Sequence, residues 1–118
     1  MRGTLIQASP VSDAEFVLGH HWSGPAGHML WFTEDGNLEL LNPARQIIWQ
    51  SGTKRLDPHR LVLKRTGQLA LCDWRGYPVW DTRTGGNPGA YLVIQEDENL
   101  VLYSASGAAI WETSTAGQ

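Results

Sequence analysis

Apolar and polar residues alternate with a period of two over much of this chain, and the alternating stretches return at a fixed interval. In residues 91–103, Leu92, Ile94, Leu100 and Leu102 alternate with Tyr91, Val93, Gln95, Asn99, Val101 and Tyr103. A period of two places the first set on one face of a sheet and the second set on the other. Between the two runs lies Asp97-Glu98-Asn99, a short polar turn of the hairpin kind, as are Asp35-Gly36-Asn37 and Thr66-Gly67-Gln68. Glu98 stands where the other two turns have glycine, so a positive φ there would strain it. No stretch sustains a 3.6-residue apolar pattern. The expectation is an all-β chain with no helix of consequence.

The interval is a repeat. Residues 28–53, 59–84 and 90–115 align without gaps at a spacing of 31 residues. Leu30, Leu61 and Leu92 coincide, as do Phe32, Leu63 and Ile94, then Leu38, Leu69 and Leu100, then Leu40, Leu71 and Leu102. Further on, Trp49, Trp80 and Trp111 coincide, followed by Thr53, Thr84 and Thr115. Each repeat reads as three short strands, the last carrying the tryptophan. Such units cannot bury an apolar face alone, so they are expected to share one core around a pseudo-threefold axis. The three tryptophans are the expected filling of that axis. Losing one from a closed core would cost about 3–5 kcal/mol. Residues 1–27 hold Thr4-Leu5-Ile6 and Phe16-Val17-Leu18, which could supply the missing strands of the outer sheets. At 118 residues, the whole of 1–118 is expected to form a single domain.

Charge and composition narrow the function. Nine Lys plus Arg stand against twelve Asp plus Glu, with the cations scattered, so a nucleic-acid partner is not expected. No run of 18 apolar residues exists, and membrane insertion is not expected. Residues 1–15 lack a long apolar leader, and Cys72 is the only cysteine, which excludes an internal disulfide. The compartment stays open between a secreted mature chain and a cytoplasmic one.

His20 and His21 are neighbours and would point to opposite faces of a strand, while His28 and His59 occupy equivalent places in separate repeats. No metal site and no cofactor are expected from them. Glycoside hydrolysis needs two carboxylates flanking the sugar bond, and Glu96 and Glu98 alternate away from Asp97. The Cys72 thiol has no identifiable histidine partner. An enzyme is not expected.

The third repeat presents Gln95, Asp97, Asn99, Val101 and Tyr103 on the alternating face of one hairpin. Asp97 accepts hydrogen bonds, the two carboxamides donate and accept, Tyr103 adds a hydroxyl and Val101 an apolar patch. Together they would make a shallow polar cleft suited to vicinal hydroxyls. The run Gln95-Glu96-Asp97-Glu98-Asn99-Leu100-Val101-Leu102-Tyr103 matches in full the Q-x-D-x-N-x-V-x-Y signature of the bulb-type (monocot, snowdrop-agglutinin-like) mannose-binding lectins, which the chain resembles from about residue 4 to residue 115. The resemblance implies a β-prism II, three four-stranded antiparallel sheets around a pseudo-threefold axis, with one candidate site per repeat. It also implies that Asp97 and Asn99 hold the 2-hydroxyl of mannose, Gln95 the 3-hydroxyl and Tyr103 the 4-hydroxyl, while Val101 packs on the ring carbons.

The other repeats depart from the signature. Repeat one keeps Asp35 and Asn37, a degenerate second site, but has Thr33, Glu39 and Leu41 at the other three positions. Repeat two has Lys64, Thr66, Gln68, Ala70 and Cys72, matching none, and reads as structural. Trp31 falls on the outward face, where it would cover a subunit contact or an edge. The resemblance further implies a homodimer formed by exchanging the C-terminal strand, residues 108–115. Two readings follow: a lectin for mannose or mannose-containing glycans, or a β-prism protein-interaction or bacteriocin-like targeting module whose sugar binding has decayed.

Overall fold

A computed structural model describes residues 2–118. Twelve strands form three four-stranded antiparallel sheets. The strands are β1 Gly3–Gln7, β2 Ala14–Val17, β3 His21–Ser23, β4 Met29–Phe32, β5 Leu38–Leu41, β6 Ile47–Gln50, β7 Arg60–Leu63, β8 Leu69–Cys72, β9 Pro78–Asp81, β10 Tyr91–Gln95, β11 Leu100–Tyr103 and β12 Ala109–Glu112. Among the described residues the sole helical piece is a 3-10 turn, Lys54–Leu56. Each repeat supplies three consecutive strands of one sheet, and the N-terminal segment supplies the fourth. It does so in reverse order: β1 pairs with β10, β2 with β7 and β3 with β4. The N-terminal segment thus ties all three sheets together, by non-local pairing in β1 and β2 and by a hairpin in β3.

The interior belongs to the repeated apolar positions. Leu30, Phe32, Leu38 and Leu40, with their equivalents Leu61, Leu63, Leu69 and Leu71 and Leu92, Ile94, Leu100 and Leu102, are fully buried in one cluster. Cross-strand pairs such as Leu30–Leu40, Leu61–Leu71 and Leu92–Leu102 put both members on the same inward face. Each fully buried side chain of this size contributes about 1.5–3 kcal/mol of transfer free energy, so twelve of them dominate the core. Each sheet also carries a register shift after the second inward leucine of its third strand, at Leu40/Leu41, Leu71/Cys72 and Leu102/Tyr103. Such bulges sharpen the local twist and re-aim the next side chain.

The tryptophans differ from the expectation. Trp49, Trp80 and Trp111 do converge, with ring centroids 5.5–6.0 Å apart and tilted or edge-on geometry. They are only half-buried, because they ride on β6, β9 and β12, the last strand at the edge of each sheet. They pack against the leucine core and do not replace it.

Turn chemistry repeats too. In each first hairpin a three-residue loop closes on itself: the amide of Thr33 donates to Asn37 O (2.8 Å), that of Lys64 to Gln68 O (2.9 Å) and that of Gln95 to Asn99 O (2.9 Å). The third loop residue is left-handed in all three, with φ of 90° at Gly36, 94° at Gly67 and 76° at Glu98. The buried hydroxyls of Thr53, Thr84 and Thr115 donate to the carbonyls of those same residues at 2.7, 2.6 and 2.9 Å. This explains why threonine recurs at the end of every repeat.

Candidate functional site

The sequence-predicted residues lie on the outer face of the sheet ordered β1-β10-β11-β12. Gln95 ends β10, Asp97 and Asn99 belong to the turn, and Val101 and Tyr103 lie on β11. The Gln95 carboxamide donates to the Tyr103 hydroxyl, and the Tyr103 ring stacks on Tyr91 with centroids 5.5 Å apart. These contacts fix two polar tips at one end of the hairpin. Val101 is buried beneath them, opposite Val93. A hollow of about 230 Å³ opens there, lined by Gly3, Leu5, Tyr91, Val93, Gln95 and Tyr103. Sites that enclose a drug-sized ligand run to about 300–1,000 Å³, so this hollow is too small to engulf one.

Asp97 and Asn99 form the other half, next to the C-terminal strand. One Asp97 carboxylate oxygen accepts from the Asn99 amide at 3.1 Å. Asn99 is buried and its side chain is structural: its Oδ1 accepts from the amides of Leu100 (3.0 Å) and Thr115 (3.2 Å) and from the Thr113 hydroxyl (3.1 Å). Its Nδ2 donates one hydrogen to Glu112 Oε1 at 3.1 Å. Asn99 therefore staples the turn to the end of β12, leaving its second Nδ2 hydrogen and the other Asp97 oxygen without a protein partner among the described residues.

In repeat one the same residue types are used up. Asn37 is fully buried, and its Nδ2 donates both hydrogens, to Glu39 Oε2 at 2.9 Å and Gln50 Oε1 at 2.8 Å. Its Oδ1 accepts from the amides of Gly52 (2.9 Å) and Thr53 (3.3 Å) and from the Ser51 hydroxyl (3.3 Å). Asp35 accepts from the Thr33 hydroxyl and faces Lys54 Nζ at 3.2 Å. The Thr33 hydroxyl and the Lys54 ammonium hold the Asp35 carboxyl below the usual carboxylate range. Trp31, half-buried, stands where Val93 stands in repeat three and is paired across the sheet with Glu39.

In repeat two, Gln68 Oε1 accepts from the Thr84 amide at 2.8 Å, the same stapling role as Asn99. Cys72, at the place of Tyr103, is buried, and that burial pushes its thiol up, out of reach of thiolate chemistry near neutral pH.

Other residues singled out in the sequence have structural partners. His20 stacks with Phe16 and Trp22 at centroid distances of 4.9 and 4.4 Å. His28 Nε2 lies 2.6 Å from Gln118 O, and His59 lies 3.6 Å from Asp57. Sequence reasoning missed Glu112, Leu5 and Gly3 as neighbours of the site. Tyr91 was legible on the outward set by alternation, but nothing in the sequence set β1 against β10.

The architecture is a β-prism built from a threefold repeat, with three four-stranded antiparallel sheets. Known proteins of similar sequence or fold are lectins. A mannose-specific lectin of Aloe arborescens is 43% identical over 53 residues, which span 43% of this chain and 46% of that one, so the match covers about half the length of that relative. Polygonatum cyrtonema lectin, solved with monomannoside, is 27% identical, with a TM-score of 0.71 and 100% of both chains covered. Monomeric mannose-binding lectins from the monocot Gastrodia elata share the fold at a TM-score of 0.81, with 24% identity over 95% of this chain and 97% of theirs. No family model matches the sequence. In fold and in sequence the chain is thus similar to the bulb-type mannose-binding lectins.

Proposed function

We propose that the chain binds terminal mannose, alone or in mannose-containing glycans, at the outer face of the third-repeat hairpin through Gln95, Asp97, Asn99, Val101 and Tyr103. One observation carries this reading: in repeat three alone, the turn aspartate and asparagine keep an oxygen and a hydrogen free of protein partners. These can receive and donate to one sugar hydroxyl, while the Gln95–Tyr103 pair, already oriented, meets the hydroxyls further round the ring. Val101 and Val93 offer the ring carbons an apolar floor. The site is open to water, so its affinity is expected on the order of millimolar, about 4 kcal/mol.

Useful avidity then needs more than one site. Exchange of β12 between two copies would supply a second site in a homodimer. In the single chain β12 pairs with its own β11, so exchange would release and re-form that pairing. Light scattering across a concentration series checks it, and a monomer mass throughout would count against exchange.

The deciding experiment is an NMR titration with α-methyl mannoside. Saturable shifts at the amides of residues 95–103 are expected in the wild type, with none for galactose. Asp97→Asn should abolish them, while Asp35→Asn should leave them unchanged. No shift at tens of millimolar sugar would sink the lectin reading and turn attention to the protein-interaction module.

A further inference from the structure

The outer face of the second-repeat sheet carries none of the five signature residues, yet it holds the largest hollow of the three equivalent faces. Its volume is about 600 Å³, against about 360 Å³ in repeat one and about 230 Å³ in repeat three. Side-chain size explains the difference. Ala70 and Cys72 stand where repeat three has Val101 and Tyr103, and with Val62 they form a small buried floor separate from the main core. Truncating those two side chains opens the space that a tyrosine fills next door.

The lining has also changed charge. Register places Arg60 where repeat three has Tyr91, and Glu15 of β2 where β1 has Leu5. Lys64 takes the place of Gln95. Two acids at the margin are already engaged, Asp13 by Arg65 at 3.6 Å and Asp73 by Arg75 at 3.0 Å. Neither Arg60 nor Lys64 joins an ion pair among the described residues; Arg60 donates only to the backbone carbonyl of His59, at 2.9 Å. Two free cations therefore share the hollow with one free carboxylate, Glu15. On the rim, in the β8–β9 loop, the Trp74 indole is 74% exposed, an unusual state for the largest apolar side chain.

We infer that this face is a second saccharide site, specific for a pyranose that bears a carboxylate. The sugar's flat C–H face packs on Trp74, its carboxylate meets Lys64 and Arg60, and its hydroxyls donate to Glu15. Charge complementarity selects the acidic sugar: with one free carboxylate against two free cations, a neutral pyranose would leave one positive charge uncompensated. The inference does not depend on mannose binding in repeat three, because the two faces lie on different sheets and report through different amides.

The test is an NMR titration of the intact chain with methyl glucuronoside, with methyl glucoside and sodium acetate as separate arms. Saturable shifts are expected at the amides of residues 60–64 and 72–76, at tens of millimolar or below. The glucoside and the acetate should each bind about fivefold more weakly or not at all, lacking the charge or the ring. Lys64→Gln, a surface change to the residue of repeat three, should weaken the glucuronoside about fivefold, and Trp74→Ala by about as much. Equal shifts from the glucoside, equal shifts from acetate, indifference to Lys64→Gln, or no shift in this region would each overturn the inference.

Discussion

The outer faces of the first and third sheets begin from the same turn chemistry and end in different states. Both place an aspartate and an asparagine two residues apart, Asp35 and Asn37 against Asp97 and Asn99. In the first, Lys54 and Thr33 occupy the aspartate, and Glu39 with Gln50 takes both hydrogens of the asparagine. In the third, Val101 replaces the glutamate, so the asparagine has one neighbouring acceptor, Glu112, in place of two. Keeping the residue identities of a site is therefore insufficient. On the proposed reading, a binding face differs from a non-binding one in whether neighbouring side chains leave hydrogen-bonding capacity unspent.

That account makes the asparagines primarily structural, and this is where it is most easily broken. Asn37→Ala removes five hydrogen bonds at a fully buried position and strands the amides of Gly52 and Thr53 together with the Glu39 carboxylate. Buried donors and acceptors left without partners are costly, and a loss of about 3–4 kcal/mol in urea unfolding is expected. Asn99→Ala should cost about 1 kcal/mol less, because Glu112 is exposed and can turn to water when its partner goes. Equal losses, or a loss under about 1 kcal/mol for either, would mean that the two turns are not held as described.

The same point limits what the sequence could disclose. The core was legible because alternation and the repeat each specified it: Leu40, Leu71 and Leu102 satisfy both, and all three are buried. The half-exposure of Trp49, Trp80 and Trp111 was not, since a repeated tryptophan reads as core whether it sits in a central strand or at a sheet edge. Nor was the reversed order in which β1, β2 and β3 join the sheets, because that pairing spans up to most of the chain and leaves no local mark. At the site, alternation placed Gln95, Val101 and Tyr103 on one face. It could not show that Asn99 earns its place partly by holding Thr113 and Thr115, which is why Gln68 serves the same end in a repeat without the signature.

Glu112 offers a finer probe of the comparison. It occupies the position of Gln50, opposite Val101 as Gln50 is opposite Glu39, and it orients the Asn99 carboxamide from outside the five-residue signature. Glu112→Ala should leave the fold nearly intact, costing under about 1 kcal/mol, since the side chain is exposed. It should still raise the Kd for α-methyl mannoside about threefold, because Asn99 Nδ2, still fixed through Oδ1, then binds water that the sugar must displace. An unchanged Kd would remove Glu112 from the positioning of the site.

The smallest expected effect concerns the turns themselves. Gly36 and Glu98 hold the same left-handed place, φ 90° and 76°, in otherwise matching loops. For a residue with a Cβ that conformation costs about 1–2 kcal/mol, whereas glycine takes it freely but loses about 0.5–1 kcal/mol of extra chain entropy on folding. Glu98 also accepts a hydrogen bond on its side chain from the Gly117 amide at 3.2 Å, which the glycine would forfeit at an exposed position. The balance favours Glu98→Gly by about 0.5 kcal/mol, read as a shift of the urea midpoint at constant slope. Mannoside affinity should stay within about twofold, because Asp97 and Asn99 keep their backbone positions. Destabilisation instead would show that the Glu98–Gly117 contact, present in the third turn and absent from the first, outweighs the strain of the left-handed glutamate.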